Sequence, residues 1–589
     1  MLYIAYMQRL LIHPGRYLVI MLVSMIATSC SKTSNTPPPT PGGNDTTVTV
    51  PVEPQVDPAI AATMGFFLDD WQAKTFAVPD AVAASLPAAA DQTITVNLAK
   101  VITKIPSSIF SDNANLWMGQ MITEPVLMNY LKVKQPGIIR FPGGSISDVF
   151  FWNAEKNIPP PDVPAVLKNA DGTEQASPWW YGKNQESWTF SLDNYYHLLQ
   201  QTGSKGLVTV NYGYARYGTS VNPVAAAAHL AAEWVRYDNG RTRYWEIGNE
   251  NFGDWEAGYR INTAGNKDGQ AEYVTGDLYA QHFKVFADSM RVAAQQTGKP
   301  IQIGAVLYES EPQSWQTNTV KTWNTGLLSN INNQPDFYVV HNYYTAYKTN
   351  ASANEILATA AKGTADVMNY YKQTMQSRGA TVKPLALDEW NITSEGSRQQ
   401  VSFINGMHAA ILLQEAIKNN YGMTSRWDLA NGWSDGNDHG LFSLGETGSG
   451  EVKWTPRPAY YCMYYLNKMM GDRMVEVINS NTSLYAYASS FTSGQAGISL
   501  VNTSTTAINV KVDVKNFRRG SKVYWYQLTG GNDNGDFSRK VIVNNAGPSG
   551  VAGGPESFQS VKANMATLGT DLILTVPARA VIYAVVEKQ

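Results

Sequence analysis

Between about Pro106 and Leu441, short apolar runs alternate with longer stretches in which apolar residues recur every three to four positions, the pattern of repeated strand and helix units. Eight of the short runs read as strands: Ile109 to Trp117, Gly137 to Phe141, Gly206 to Asn211, Arg243 to Gly248, Ile301 to Val306, Phe337 to His341, Pro384 to Asp388 and Arg426 to Asn431. One intervening helix is legible in full. Asp277 is its expected N-cap, Leu278, Phe283, Val285, Phe286 and Met290 supply its apolar positions, and Gly298 with Pro300 ends it. Eight strands with helical crossovers predict an α/β fold, a (β/α)8 TIM barrel, whose active site opens at the C-terminal strand ends.

A last helix is expected from Arg457 to Met470, stopped by Gly471, and beyond it the period shortens to two. Ser483 to Ser490, Ala496 to Val501, Ile508 to Val514, Lys522 to Gln527 and Leu572 to Val576 predict a C-terminal antiparallel β-sandwich, to which Thr93 to Val101 is expected to add a strand. The implied divisions are an N-terminal segment at 59-105, a barrel at 106-471 and a sandwich at 472-589. The Gly-rich stretch Asn545 to Gly554 reads as a surface loop, not a phosphate cradle.

Residues 1-30 read as a targeting segment. Arg9 and Arg16 precede an apolar run from Tyr17 to Ala27 that is short for a membrane span and leads into Ala27-Thr28-Ser29-Cys30, which resembles a bacterial lipoprotein signal with Cys30 as the lipidated residue. Export with a lipid anchor on an outer membrane is the expectation. Residues 31-58, with Pro37-Pro38-Pro39-Thr40-Pro41-Gly42-Gly43, have too little apolar surface to fold and read as a tether. With Cys30 consumed, Cys462 has no partner for an intrachain disulfide, and its apolar surroundings, Tyr460 to Leu466, mark it as a buried small hydrophobe.

A formal net charge of -3 and a charged fraction of 16% exclude the basic footprint of a nucleic-acid partner. The 16 Trp and 32 Tyr point elsewhere, because sugar rings pack their C–H faces on flat aromatic side chains. The aromatic-rich insertion at 150-192, with Trp152, Trp179, Trp180, Tyr181 and Trp188, follows the second strand and is expected to line a substrate cleft.

Two strand ends carry the candidate chemistry. Tyr244-Trp245-Glu246-Ile247-Gly248-Asn249-Glu250-Asn251 closes the fourth strand, and Pro384-Leu385-Ala386-Leu387-Asp388-Glu389-Trp390 closes the seventh. A retaining glycosidase needs such a pair of carboxyl groups, about 5 to 5.5 Å apart, one to protonate the leaving oxygen and one to attack the sugar carbon. Around Glu250 and Glu389, Asn249 can offer its amide to a sugar hydroxyl, and Arg140 can orient a carboxylate and keep it ionised. His341 and Tyr343 can hydrogen-bond the attacking group, and Trp433 can form a wall under the sugar. Glu246 shares a strand face with Glu250 but lies one layer deeper, which suits a structural role, and His408 on the apolar stretch Met407 to Leu413 is expected to be structural. Seven His without paired spacing form no metal constellation, and this chemistry requires neither metal nor cofactor.

Arg140-Phe141-Pro142-Gly143-Gly144, Trp245 to Asn251, Asp388-Glu389-Trp390-Asn391, His439-Gly440-Leu441-Phe442 and Arg457-Pro458-Ala459-Tyr460-Tyr461 together resemble glycoside hydrolases of clan A, and within it the family 51 α-L-arabinofuranosidases. The resemblance runs from about Ile105 to the C-terminus. It implies a barrel followed by a sandwich, a retaining hydrolase acting on polysaccharides or oligosaccharides, Glu250 as acid/base and Glu389 as nucleophile. It leaves open a β-xylosidase, β-glucuronidase or galactanase activity on the same architecture, an inactive carbohydrate-binding lipoprotein, exo or endo attack, and the oligomeric state.

Overall fold

A computed structural model of the protein describes residues 52–434, 436–531 and 535–589, so the targeting segment, Cys30 and most of the tether lie outside the described residues. Eight strands close into a barrel: β1 (Ser111–Asn113), β2 (Ile138–Phe141), β3 (Lys205–Val210), β4 (Tyr244–Ile247), β5 (Gln302–Val306), β6 (Phe337–Tyr343), β7 (Leu385–Asn391) and β8 (Met423–Arg426). Each pairs parallel with its neighbours, and β8 pairs with β1 to close the ring. The expected TIM barrel is therefore present.

Alternation along the strands sorts the barrel interior by chemistry. Ile138, Leu207, Tyr244, Phe337, Val339, Ala386 and Met423 form an apolar cluster with Phe67, which belongs to the N-terminal segment. Two residues further along β2, β3, β4, β6 and β7 stand Arg140, Thr209, Glu246, His341 and Asp388, all buried. Apolar packing thus closes one end, and a polar layer lies toward the C-terminal strand ends. The plug is itself ordered by Thr63, whose carbonyl accepts from Leu385 N (2.9 Å) and whose hydroxyl donates to Asn420 O (2.7 Å).

Three local expectations change. The first strand is Ser111–Asn113 alone: the apolar Ile109 that suggested a longer run lies in a 3-10 turn below it, and Leu116–Met118 forms another above it. The eighth strand ends at Arg426, earlier than expected, and Leu429 and Ala430 are buried in the loop beyond. The helix Gly276–Thr297 is capped by Thr275, whose hydroxyl accepts from Leu278 N (3.2 Å), while Asp277 falls within its first turn.

Thr93 to Val101 lies in the strand Gln92–Lys104, which joins the C-terminal sheet between Arg473–Ile478 and Ile508–Lys515. This sheet encloses a core of its own, with Ile94, Val96, Val510 and Leu574 against Val523, Ile582 and Val586. The other face of Ala580–Lys588, through Val581, Tyr583 and Val585, joins the barrel core, and Tyr583 Oη donates to Cys462 O (3.0 Å). Cys462 is fully buried and burial pushes its thiol above the ordinary range, as suits a packing residue.

The 150-192 insertion folds back on itself, Phe150–Phe151 pairing with Trp180–Tyr181 and Val166–Lys168 with Glu174–Ala176. Part of its aromatic content is structural. Trp152 stacks on Trp234 (6.0 Å) of helix Pro223–Asp238 and donates to Leu230 O, and Trp179 packs on Phe151 and Tyr217.

Candidate active site

Arg140 is the hub of the polar layer and is fully buried. Its Nε donates to Glu246 (2.9 Å) and lies 3.2 Å from Asp388; Nη1 donates to Asn113 (3.1 Å) and Glu389 (3.3 Å), and Nη2 to Asn249 (2.8 Å). The guanidinium thus ties β1, β2, β4 and β7 together. Glu246 also accepts from Thr209 (2.7 Å), and burial pushes its carboxyl up to about 7 against the pull of Arg140. With no surface exposed it is a structural partner and not a rival to Glu250.

Glu389 reaches the mouth because of a register shift. Strand alternation from Ala386 would turn Asp388 inward and Glu389 outward. Instead Val340 pairs with Leu387 and the next residue, His341, pairs with Glu389, leaving Asp388 as an extra residue in β7. A shift also occurs on the β8 side between Leu387 and Trp390. Such a bulge re-aims side chains, and here both acidic residues engage the buried cluster. Glu389 accepts from Tyr343 Oη (2.6 Å) as well as from Arg140.

Glu250 lies beyond the end of β4. The turn passes through Gly248 at φ 75°, where a Cβ would come within 2.0 Å of Asn251 Oδ1 and 2.8 Å of the Tyr212 side chain. Glu250 itself has φ 41°, a left-handed conformation that costs a non-glycine residue on the order of 1 kcal/mol. A tight turn holds it there, with Gly253 N donating to Glu250 O (2.6 Å). The same turn brings Trp255 back so that its Nε1 donates to Glu250 Oε2 (3.0 Å).

His341 lies between the two carboxylates. Its Nδ1 is 2.9 Å from Glu250 and 3.6 Å from Glu389, and its Nε2 is 3.2 Å from Asp388. Burial alone would lower the imidazole, but Glu389, Asp388 and Glu250 outweigh it and hold it well above its usual range, so it is an imidazolium. One oxygen each of Glu250 and Glu389 and a nitrogen of His341 lie within 4.8 Å of one another. This donor set, and that of Glu246, His341 and Asp388, has the composition of a metal site, but Arg140 and His341 already supply its positive charge.

Burial acts on Glu250 to raise its carboxyl, but the hydrogen bond and charge of His341, with Trp255, outweigh that and hold it below its ordinary value. Glu389 is held above its ordinary value, first by burial and then by Glu250, against His341 and Arg140. Because the two share one imidazolium, they titrate as a pair.

Asn249 is fixed from both ends of its amide. Its oxygen accepts from Arg140, and its Nδ2 donates to Glu256 Oε1 (3.0 Å), which also accepts from Ser145 (2.6 Å). Asp148 anchors the same turn, accepting from Asn249 N (3.2 Å), Asn251 Nδ2 (2.7 Å), Tyr212 N (3.0 Å) and Gly213 N (2.9 Å).

The structure therefore gathers Arg140, Asn249, Glu250, His341, Tyr343 and Glu389. The Trp433 ring faces the guanidinium groups of Arg457 (5.9 Å) and Arg539 (5.3 Å), and its backbone N–H donates to Glu446 Oε1 (3.0 Å). Trp427 follows β8 directly, donates its backbone N–H to Trp390 O (3.1 Å) and rests against Gly144. The sequence reading carried the eighth strand to Asn431 and so did not place Trp427 at a strand end. It also missed Asn113, Asp388, Trp255 and Glu256, although Trp255 and Glu256 lie only five and six positions beyond Glu250.

His341→Asn should shift the pH profile of any hydrolytic activity. Removing the imidazolium raises the carboxyl of both Glu250 and Glu389, so both limbs of the kcat/KM profile should move to higher pH. A profile that stays in place, or moves down, would contradict the arrangement described.

Solved structures share this fold over most of the chain. The α-L-arabinofuranosidase from Thermotoga petrophila RKU-1, of glycoside hydrolase family 51, is 19% identical and matches with a TM-score of 0.59 over 84% of this chain and 100% of that one. The α-L-arabinofuranosidase from Thermotoga maritima, solved with arabinose, is 19% identical, with a TM-score of 0.57 over 84% of this chain and 99% of that one. A xyloglucanase of glycoside hydrolase family 44 from Paenibacillus polymyxa is 12% identical, with a TM-score of 0.54 over 85% and 100%. At these identities the likeness is one of fold. No family model matches the chain, nor does any curated protein.

Proposed function

We propose that the protein is a retaining glycoside hydrolase, with an α-L-arabinofuranosidase-type activity as the leading expectation. The observation that carries this reading is the pair of the partly exposed Glu250, just beyond the end of β4, and the buried Glu389 of β7, with one oxygen of each carboxylate within 4.8 Å of the other. That spacing suits double displacement, whereas inversion needs roughly 6.5 to 9.5 Å to admit a water. The arabinofuranosidase-type substrate is supported by the fold likeness to the Thermotoga enzymes and by the motif resemblance.

In this mechanism Glu389 attacks the anomeric carbon while Glu250 protonates the leaving oxygen, and Glu250 then deprotonates the water that frees the sugar. Asn249, with its amide oxygen turned to Arg140, keeps an N–H for the hydroxyl beside the anomeric carbon. Tyr343 and Arg140 steady Glu389 for attack. The reaction needs its proton on Glu250, whose carboxyl His341 holds low in the empty protein, while burial holds that of Glu389 high. Positive charge developing on the sugar ring stabilises an ionised Glu389. His341 Nδ1 lies 2.9 Å from Glu250 and 3.6 Å from Glu389, so the net transfer balances when the imidazolium gives its Nδ1 proton to Glu250 and is reprotonated from Glu389.

The test is release of nitrophenol from a panel of aryl glycosides, followed by product analysis on arabinan, arabinoxylan, galactan and glucuronoxylan in parallel. Release of arabinose supports the leading expectation. Release of xylose, galactose or glucuronic acid instead replaces it with another clan A activity. No hydrolysis of any substrate removes the enzyme reading and leaves the binding lipoprotein.

Export and anchoring belong to the same proposal, on the sequence order of basic, apolar and small residues before Cys30 and the Pro-rich stretch after it. Cys30→Ser should move the protein from the membrane to the soluble fraction. Unchanged membrane association on fractionation would remove the lipid anchor from the proposal.

A further inference from the structure

Three tryptophans that the catalytic cluster does not use continue outward from Trp427 along the loops of the barrel mouth. Trp117, in the turn after β1, meets Trp427 edge to face at 6.0 Å and donates its Nε1–H to Ala430 O (3.1 Å). The segment that carries Trp117 is joined by backbone to the end of the 150-192 insertion: Phe190 N donates to Leu116 O (2.8 Å) and Gly119 N to Trp188 O (3.2 Å). Trp188 then meets Trp180 edge to face at 5.7 Å. The four indoles thus form two edge-to-face pairs, one beside β7 and β8 and one on the insertion, carried on segments that backbone hydrogen bonds join.

Their exposure separates them from the structural aromatics of the same insertion. Trp152 is buried against its helix, whereas Trp188 is 50% exposed and Trp117 and Trp180 are half-buried. Large aromatic surface left to water on loops over the open end of a barrel is what a bound sugar chain covers, because pyranose and furanose rings pack their C–H faces on indoles. The local charges are already neutralised. Glu186, which accepts from Trp188 Nε1 (2.9 Å), pairs with Lys156 (2.7 Å), and Glu124 pairs with Lys453 (2.6 Å). Such a surface suits a neutral chain better than a charged one.

We infer that Trp117, Trp188 and Trp180 form a platform for successive residues of a neutral polysaccharide, so that the substrate extends well beyond the sugar held at Glu389. The inference rests on the hydrolase reading and deepens it, from cleavage of small glycosides to engagement of a polymer.

Affinity electrophoresis tests it without relying on hydrolysis. Native gels containing arabinan, galactan, arabinoxylan or xyloglucan, with glucuronoxylan as the charged comparison, should retard the wild-type protein in at least one neutral polymer. The Trp180→Ala/Trp188→Ala variant should lose that retardation by tenfold or more in apparent affinity. Trp188→Ala alone, at the most exposed position, should lose part of it and guards against misfolding of the double variant. In kinetics, kcat/KM of the double variant should fall at least tenfold on the oligosaccharide and stay within twofold on the aryl monoglycoside. A wild type retarded by no neutral polymer, or variants retarded as strongly as wild type, would overturn the platform. Retardation lost with the tryptophans in a wild type that cleaves nothing would sink the hydrolase reading alone.

Discussion

Glu389→Ala should lose hydrolysis of every substrate by several orders of magnitude, whatever the leaving group. The carboxylate is the attacking group in the proposed double displacement, and a better leaving group cannot supply a missing nucleophile. Its surroundings make the loss specific to chemistry. Arg140 retains Glu246, Asp388, Asn113 and Asn249 when Glu389 is gone, and His341 retains Glu250 and Asp388, so the polar layer keeps its main ties. The measurement is kcat/KM for an aryl glycoside and a dinitrophenyl glycoside, alongside thermal unfolding of the variant. A variant that folds like wild type yet keeps dinitrophenyl activity within tenfold would remove Glu389 from the nucleophile position.

How far the sequence reaches is clearest at the two carboxylates. Glu250 was legible because Gly248-Asn249-Glu250 follows an apolar strand, and a glycine there permits the turn that re-aims the chain. Glu389 was legible only as a motif. Strand periodicity turns Asp388 inward and Glu389 outward, and the register shift that brings Glu389 opposite His341 depends on pairing with β6 and β8, which no local pattern encodes. Arg140 was recognisable as a strand-end cation, but its five partners come from β1, β4 and the turn after it, and β7, separated by up to 276 positions, from Asn113 to Glu389. The eighth strand failed for a related reason. Leu429 and Ala430 are apolar because they are buried, and burial in a loop reads like burial in a strand. The plug formed by Phe67 was invisible because residues 59-105 were read for their alternation, and a short turn that seals a barrel has none.

Glu250→Ala should separate the two carboxylates by leaving group. Without a proton donor, cleavage of a natural sugar leaving group should fall by orders of magnitude, while formation of the glycosyl-enzyme from a dinitrophenyl glycoside should be little changed, because that leaving group departs as an anion. Loss of Glu250 also removes the like charge that raises Glu389, so the attacker in the variant is more fully ionised than in wild type. The intermediate should therefore accumulate, with a burst of dinitrophenolate and a slow steady state, since no base remains to activate water. Azide needs no general base and fits where a carboxylate has been removed. It should restore turnover and give a glycosyl azide with the anomeric configuration of the substrate, readable by NMR. An inverted azide would mean that azide attacks the substrate itself, in the place of a missing nucleophile, and would remove Glu250 from the acid/base position. A retained azide from Glu389→Ala instead of Glu250→Ala would mean that the two roles are exchanged.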